Sequence, residues 1–143
     1  MVRQLEHLVD AQKSVYANAL AELRAGRKRT HWMWFVFPQL AGLGRSETAR
    51  FYALRSADEA RAYWEHRVLG LRLREATAAA IGSGAEAGVL FGHPDDLKFR
   101  SCMTLFREVA PQEPLFGEAI GRLCRGEADP LTLRLLREGH CAA

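Results

Sequence analysis

Residues 26–46 read GRKRTHWMWFVFPQLAGLGRS, and this run is the part of the chain that ordinary helix formation explains least. Three consecutive cations precede a histidine, two tryptophans and two phenylalanines, and a proline and glycines follow them. A helix that only packs against a core needs little more than leucines at the right spacing. The mixture of cations, aromatic rings and turn residues therefore predicts that residues 26–46 line a site.

The apolar part of this run has two candidate local structures. From His31 to Phe37 no periodicity separates a short buried strand from one or two turns of helix, and Pro38 ends either one. Trp32 and Trp34 point to opposite sides of a strand and lie about 200° apart around a helix. We therefore expect one tryptophan in the core, which leaves the other free to stack on a base or sugar ring.

Outward from this run the chain predicts helices. Apolar residues recur at helical spacing from Gln4 to Ala25, and Gly26 ends that helix. Caps and turn residues predict further helices over 46–54, 56–65 and 68–81, from 95 onward, over 114–124 and from 130 onward. No Asn-Gly or Asp-Gly turn sits between alternating strands. The predicted fold class is therefore all-α, a single compact domain of about seven helices formed by residues 1–143.

The composition is that of an ordinary globular protein. A length of 143 residues fits a single domain with one hydrophobic core. The composition, 48% hydrophobic and 26% charged, excludes a wholly disordered, collagen-like or coiled-coil protein. The 20 lysines and arginines face 17 acidic residues along the whole chain, for a net charge of +3. Because nucleic-acid-binding proteins concentrate their basic residues, this even spread is weak evidence for a nucleic-acid partner, although it does not exclude one.

Cysteine usage and hydropathy bear on location and cofactors. Cys102, Cys124 and Cys141 are odd in number and lack C-x-x-C spacing, so neither a disulfide framework nor a zinc site is predicted. No stretch approaches the roughly 18 apolar residues that cross a bilayer, and no signal segment precedes the first helix. We expect a cytoplasmic protein with no membrane partner and no cofactor. The segment from His93 to Asp96 superficially resembles a metal site, but helix capping accounts for its carboxylates.

The block from Gly26 to Gly44 resembles the signature of an uncharacterised bacterial family, domain of unknown function 1810. Further matches run along most of the chain: Ala11-Gln12 with Tyr16, residues 59–63, Leu69-Gly70 with Arg72-Leu73, residues 96–98, Ser101 and residues 103–106. A run with His-Trp-Met-Trp and Phe-Pro-Gln is improbable by chance. The resemblance implies a compact, all-helical single domain and brings no established activity. The calpastatin title of some members has no support in this chain, and His66-Arg67 departs from the family's His-Pro.

A cluster of cations closes the first predicted helix: Arg24, Arg27, Lys28 and Arg29. Cations at a helix C-terminus are favoured by the helix dipole alone, so a solvated cluster is the simpler interpretation. The functional interpretation is that Lys28, a rare lysine in an arginine-rich chain, binds a phosphate or carboxylate together with neighbouring arginines.

Two polar residues beside these cations are site candidates. His31 adjoins both cations and aromatic rings, which makes it the candidate acid or base near neutral pH. A histidine that is only hydrogen-bonded within the core is, however, the commoner case. Gln39, held by Pro38, is a candidate for reading a polar edge of a ligand, and a turn-stabilising hydrogen bond explains it equally well.

A second polar stripe is predicted on the helix that starts near residue 95. Asp95, Lys98 and Ser101 stand three residues apart and so share one side of a helix, where an ordinary ion pair accounts for them. The sharper hypothesis is a second wall of the site, made of Asp96, Lys98, Ser101 and Thr104. It requires the stretches around residues 30 and 100 to meet in the folded protein.

These residues together predict a pocket for a small anionic ligand, phosphorylated or nucleotide-like. The predicted lining is Lys28, Trp34, Gln39, Lys98, Ser101 and Thr104, with His31 and Asp96 as acid or base if the ligand is hydrolysed. The alternative is a protein- or nucleic-acid-interaction module that uses the basic patch at residues 24–29. A third hypothesis gives the run at 26–46 a purely structural role. Neither an enzymatic activity nor an oligomeric state is predicted.

Overall fold

The computed structural model describes residues 4–142, with side chains as far as residue 139, so the Cys141 side chain lies outside the described part. Within these residues the chain forms ten helices. They are α1 (Glu6–Lys13), α2 (Tyr16–Arg24), α3 (Met33–Val36), α4 (Glu47–Tyr52), α5 (Ala57–Glu65), α6 (Leu69–Gly82), α7 (Ala87–Phe91), α8 (Asp95–Val109), α9 (Leu115–Leu123) and α10 (Pro130–Ala142). None of the described helices combines the length and the apolar character that crossing a lipid bilayer requires.

The predicted all-α class is confirmed, but the predicted number of about seven helices is wrong, since the described residues hold ten. The helix expected from Gln4 to Ala25 divides into α1 and α2, which pack against α3 and α6 respectively. At the break, the Val15 N–H bonds to the Gln12 carbonyl at 3.1 Å in a tight turn. The Gln12 side chain turns inward there and donates to the Phe35 carbonyl at 2.7 Å.

Two short helices account for the rest of the difference. The ambiguous apolar run contains α3, so it is a turn of helix and not a strand. The segment before Gly92 forms α7, and Gly92 ends it with a φ of 76°, a conformation that favours glycine.

The chain leaves α3 through Pro38 and runs beside the end of α4. An isolated parallel bridge joins Leu40 to Leu54, and it is the one β-type pairing within residues 4–142. The Leu54 N–H donates to the Gln39 carbonyl at 2.8 Å, and the Ala41 N–H donates to the Leu54 carbonyl at 2.7 Å. The bridge therefore anchors the loop that follows Pro38.

The central helix is α8, which packs against α3, α5, α7, α9 and α10. Its residues Phe99 and Phe106 are fully buried. Phe37, from the aromatic run, sets its ring edge-on against the ring of Phe99 at 5.1 Å and that of Phe91 at 5.7 Å between centres. Edge-to-face aromatic pairs of this kind add stability beyond the area they bury. The aromatic run is thereby joined to α8 through the core.

Glu22 of α2 holds the loop that leads into the aromatic run. Glu22 is 7% exposed, and its Oε1 accepts hydrogen bonds from the Arg29 N–H at 2.6 Å, the Thr30 N–H at 3.0 Å and the Trp32 Nε1–H at 3.0 Å. Its Oε2 accepts from the Thr30 hydroxyl and the Asn18 amide, both at 2.6 Å. Burial raises the pKa of Glu22, but the hydrogen bonds outweigh burial and lower the pKa from 4.5 to about 2.

Glu22→Gln should lower the free energy of unfolding at neutral pH by on the order of 3 kcal/mol, because an amide has one acceptor oxygen and turns its NH₂ toward buried donors. The pKa of Glu22 is lower in the folded state than its ordinary 4.5. The carboxylate therefore contributes fully above that pH, and its contribution is lost as the pH falls toward 2.

Urea unfolding of both proteins across this pH range measures the effect. The difference in unfolding free energy should shrink as the solution is acidified, while Glu65→Gln, at an exposed position of α5, should change stability by less than about 0.5 kcal/mol. A Glu22→Gln difference that does not depend on pH would contradict the assignment.

Candidate ligand-binding site

The stretches around residues 30 and 100 meet at the N-terminal half of α8. The Lys28 N–H donates to the Leu90 carbonyl at 2.7 Å. The Asp95 carboxylate lies between two lysines, with Oδ2 2.9 Å from Lys28 Nζ and Oδ1 3.2 Å from Lys98 Nζ. The Lys98 ammonium also lies 5.1 Å from the centre of the Trp34 ring, a cation–π contact. A lysine–aspartate–lysine bridge thus joins the two stretches.

The Lys28 side chain stabilises the fold. Its side chain is 8% exposed, and its ammonium lies 5.3 Å from the centre of the buried Trp32 ring. Burial raises the pKa of Asp95, but the hydrogen bonds and charges of Lys28 and Lys98 outweigh burial, so the pKa falls below its ordinary value of 3.8. Asp95 is therefore ionised at neutral pH and balances the charge of Lys28.

A cavity of about 240 Å³ opens beside this bridge, between the loop after Pro38 and α8. This Gln39 cavity is lined by Gln39, Leu43, Gly44, Pro94, Leu97, Lys98, Arg100, Ser101 and Asp129. Three of the residues predicted from the sequence, Gln39, Lys98 and Ser101, share it. The side-chain amide of Gln39 has no hydrogen-bond partner within the described part of the chain, so its donor and acceptor are available to a ligand.

One wall of the Gln39 cavity is a carboxylate that caps α10. Oδ2 of Asp129 accepts hydrogen bonds from the Ser101 hydroxyl at 3.0 Å, the Thr132 N–H at 3.1 Å and the Thr132 hydroxyl at 2.5 Å. The Asp129 N–H donates to Thr104 Oγ1 at 2.9 Å. These four residues form the capping network. Ser101 is thus already engaged by the protein, and Thr104 is fully buried and does not line the cavity.

Arg100 has hydrogen-bond donors to spare. Its side chain is 26% exposed, yet its Nε–H is buried and has no hydrogen-bond partner among the described residues. The neighbouring carboxylates are too far away for hydrogen bonds: Nη2 lies 3.7 Å from Asp129 Oδ1, and Nη1 lies 3.9 Å from Glu127 Oε2. A guanidinium carries five N–H donors, and buried donors are normally satisfied. The site can therefore accept an anionic group.

A second cavity, of about 310 Å³, adjoins the first along Leu97 and Arg100, which line both. This Asp96 cavity is lined by Glu86, Ala87, Gly88, Asp96, Leu97, Arg100, Leu123, Cys124, Arg125 and Glu127. Asp96 Oδ1 lies 3.0 Å from Nδ1 of the exposed His93. Asp96, predicted from the sequence as an acid or base, therefore belongs to the neighbouring cavity and not to the wall opposite Gln39.

The other predicted residues lie outside both cavities. His31 is exposed and makes no hydrogen bond or ion pair within residues 4–139. Trp34 is half-buried beneath the Lys98 ammonium, whereas Trp32 is the tryptophan in the core. In the basic patch, Lys28 turns inward, and the exposed members are Arg24, Arg27 and Arg29.

Metal and thiol chemistry have little support here. Among the described residues, no three histidine, cysteine or acidic side chains are arranged to hold a metal ion. Cys102 and Cys124 carry free thiols, and burial raises the pKa of both, that of Cys124 to about 11. Both thiols are therefore protonated at neutral pH, which makes them poor nucleophiles.

Comparison with known sequences and structures identifies the family. The model of a family described as protein of unknown function, DUF1810, matches residues 2–136. The chain belongs to this family. The resemblance of residues 26–44 to the signature of domain of unknown function 1810 is thus confirmed. The crystal structure of the conserved hypothetical protein Rv1873 from Mycobacterium tuberculosis is similar, with a TM-score of 0.90 and 46% sequence identity over 93% of this chain and 96% of that one. No curated protein matches the chain significantly.

Two residues that shape the site of this DUF1810 protein carry little signal in the sequence. Arg100 is one arginine among many, and only the placement of its donors relative to two distant carboxylates distinguishes it. Asp129 is recognisable as a helix cap from the proline after it, but its bond to Ser101, 28 residues away, follows only from the packing of α10 on α8.

Thr104→Val tests whether Thr104 serves the capping network. The valine would remove the acceptor of the buried Asp129 N–H, so the free energy of unfolding should fall by about 1–3 kcal/mol. Thr48→Val, at an exposed position of α4, is the matched control and should change stability by less than about 0.5 kcal/mol. Urea unfolding of the three proteins measures both. A Thr104→Val protein as stable as the wild type would contradict the assignment of Thr104 to the capping network.

Proposed function

We propose that this protein binds a small anionic ligand, phosphorylated or nucleotide-like, in the Gln39 cavity. The observation that carries the proposal is the Arg100 guanidinium, which lines the cavity and whose Nη1 and Nη2 lie 3.9 and 3.7 Å from the nearest carboxylates, beyond hydrogen-bond distance. A phosphate or carboxylate beside it would accept two parallel N–H bonds from the guanidinium fork. Such a ligand would satisfy donors that the protein itself leaves unused.

The other lining residues support an anion in this place. Lys98 adds a second positive charge, and it shares Asp95 with Lys28, so two lysines face one carboxylate. The Asp129 carboxylate is held by three hydrogen bonds to its Oδ2, and its Oδ1 lies 3.7 Å from Arg100 Nη2. Gln39 contributes an amide that can both donate and accept.

The size of the cavity limits what it can hold. Pockets for drug-sized ligands span about 300–1,000 Å³, and the Gln39 cavity falls below that range at about 240 Å³. It therefore suits a phosphate-sized group better than a complete cofactor.

A hydrolytic version of the proposal needs an acid or base close to Arg100. Asp96 lines the adjoining cavity together with Arg100, whereas His31 lies at an exposed position of the loop before α3. We retain Asp96 as the candidate for proton transfer, since it shares a cavity wall with the group that would bind the anion.

The alternative function, a protein- or nucleic-acid-interaction module, is favoured by one observation. Arg24, Arg27 and Arg29 are all exposed and can contact a polyanion together. Trp32, however, is buried, and Lys28 is paired with Asp95, so the patch offers cations with few of the aromatic partners that single-stranded nucleic acids stack on.

Arg100→Gln should weaken the binding of inorganic phosphate at least about tenfold, because a hydrogen bond to a charged group contributes about 1.5–3 kcal/mol. Isothermal titration calorimetry at constant ionic strength measures the affinity. Arg122→Gln is the matched control: it removes the same charge from an exposed position of α9 and should bind phosphate like the wild type.

Arg100→Lys separates the guanidinium fork from its charge. A lysine keeps the charge but not the two parallel donors, so it should bind phosphate more weakly than the wild type. Thermal unfolding without phosphate establishes that each variant is folded. Unchanged phosphate affinity in Arg100→Gln would contradict the proposal. Loss of polyanion binding in Arg27→Gln alone would favour the interaction module instead.

A further inference from the structure

We infer that the anionic ligand is a pentose phosphate unit, whose phosphate lies in the Gln39 cavity and whose sugar lies in the Asp96 cavity. This inference rests on the proposed function, since it assigns a ligand class to the same Arg100 site. A bound phosphate alone would occupy only the Gln39 cavity, whereas a sugar attached to it would also occupy the Asp96 cavity.

The two cavities adjoin along the side chains of Leu97 and Arg100, which line both. The two ends of the Arg100 guanidinium point to different cavities. Nη2 is nearer to Asp129, which lines the Gln39 cavity, and Nη1 is nearer to Glu127, which lines the Asp96 cavity. In the proposed complex, a group bound to this guanidinium from the Gln39 side extends along it into the Asp96 cavity.

The chemistry of the Asp96 cavity suits a sugar and opposes a second phosphate. Ala87, Leu97 and Leu123 supply apolar surface, which the C–H face of a sugar ring can contact. Carboxylates at the same cavity repel a further anion but accept hydrogen bonds from hydroxyls. Glu86 is already paired with Arg125 at 3.1 Å, whereas Glu127 lies 3.9 Å from Arg100.

Asp96 is the carboxylate best placed for a sugar hydroxyl. Its Oδ1 lies 3.0 Å from His93 Nδ1, which fixes the carboxylate in orientation. No donor within the described part of the chain reaches its Oδ2, which faces Gly88: a Cβ added to Gly88 would lie 3.9 Å from it. The absence of a side chain at Gly88 keeps this side of Asp96 accessible.

The spacing along α8 matches the size of the unit. Asp96 and Arg100 are four residues apart, which places them on one side of the helix about 6 Å apart along its axis. In a pentose phosphate, the hydroxyls lie a similar distance from the phosphorus, across the sugar ring. A pentose phosphate is therefore long enough to span the rise between the two backbone positions in the proposed complex.

Calorimetric titration with inorganic phosphate, ribose 5-phosphate and adenosine monophosphate tests the inference. Ribose 5-phosphate should bind the wild-type protein at least about tenfold more tightly than phosphate, since its hydroxyls add hydrogen bonds to a charged acceptor. Asp96→Asn should reduce the ratio of the two affinities to less than about threefold without weakening phosphate binding, since it removes a hydroxyl acceptor and a negative charge together. Adenosine monophosphate that binds more tightly than ribose 5-phosphate assigns the unit to a nucleotide, and weaker binding assigns it to a free sugar phosphate.

The matched control is Asp58→Asn, which changes the corresponding second residue of α5, where the carboxylate is 77% exposed and paired only with Arg61 in the described structure. It should behave like the wild type with all three ligands. Gly88→Ala is a second variant, which adds a methyl group to the Asp96 cavity at a helical position where alanine favours folding. Gly88→Ala should likewise reduce the advantage in affinity that ribose 5-phosphate has over phosphate, without weakening the binding of phosphate.

The possible failures are distinguishable. If phosphate binds through Arg100 but ribose 5-phosphate binds no more tightly, or if Asp96→Asn and Gly88→Ala keep the full gain, the pentose assignment is overturned and the anion site stands. If the wild-type protein binds none of the three ligands, both the pentose assignment and the proposed function are overturned.

Discussion

The path of the chain through its most aromatic segment depends on one buried carboxylate. Glu22 accepts hydrogen bonds from Arg29, Thr30 and Trp32. If the loop that carries these residues moved away from α2, their donors would lose their hydrogen-bond acceptor. The Trp32 ring is thereby fixed in the core, and Lys28 is brought to Asp95 at the start of α8. The Lys28–Asp95 pair and the Leu40–Leu54 bridge together position the loop that follows Pro38 relative to α8. The aromatic run thus has a structural role and also forms one side of the candidate site.

Some polar side chains around α8 stabilise the fold through their hydrogen bonds and ion pairs, whereas others have hydrogen-bond donors without partners in the described structure. Ser101 and Thr104 bind to Asp129, and Lys28 binds to Asp95. Gln39 and Arg100, in contrast, keep donors without partners in the described structure beside a cavity. A ligand that accepts hydrogen bonds from the Gln39 amide and the Arg100 Nη groups would stabilise the folded state by mass action. Residues of similar polarity and neighbouring position therefore have different roles, which only their three-dimensional partners reveal.

Most of the helices, the family and the meeting of two distant stretches could be predicted from the sequence because they depend on local signals or on a distinctive motif. The break between α1 and α2 could not, because apolar spacing continues across it and the inward turn of Gln12 depends on Phe35. Helical spacing predicts Lys98, Ser101 and Thr104 on one wall, and the first two line the cavity, whereas Thr104 lies in the core. Thr104 fits the predicted periodicity, but its hydroxyl oxygen already accepts a hydrogen bond from the Asp129 N–H. Arg100 is not among the residues predicted from the sequence, because only the structure shows that its guanidinium has donors without partners among the described residues. His31 was favoured for its neighbours in sequence, but it is exposed in the structure.

The role proposed for the Arg100 side chain is to donate hydrogen bonds to an anion. A heteronuclear NMR titration that follows the arginine Nε–H signals during the addition of inorganic phosphate tests it most directly. The Arg100 signal should move as phosphate binds beside its Nη groups, while the signal of the exposed Arg122 stays in place. An Arg100 signal that does not respond to phosphate, or that moves no more than the signal of Arg122, would contradict it.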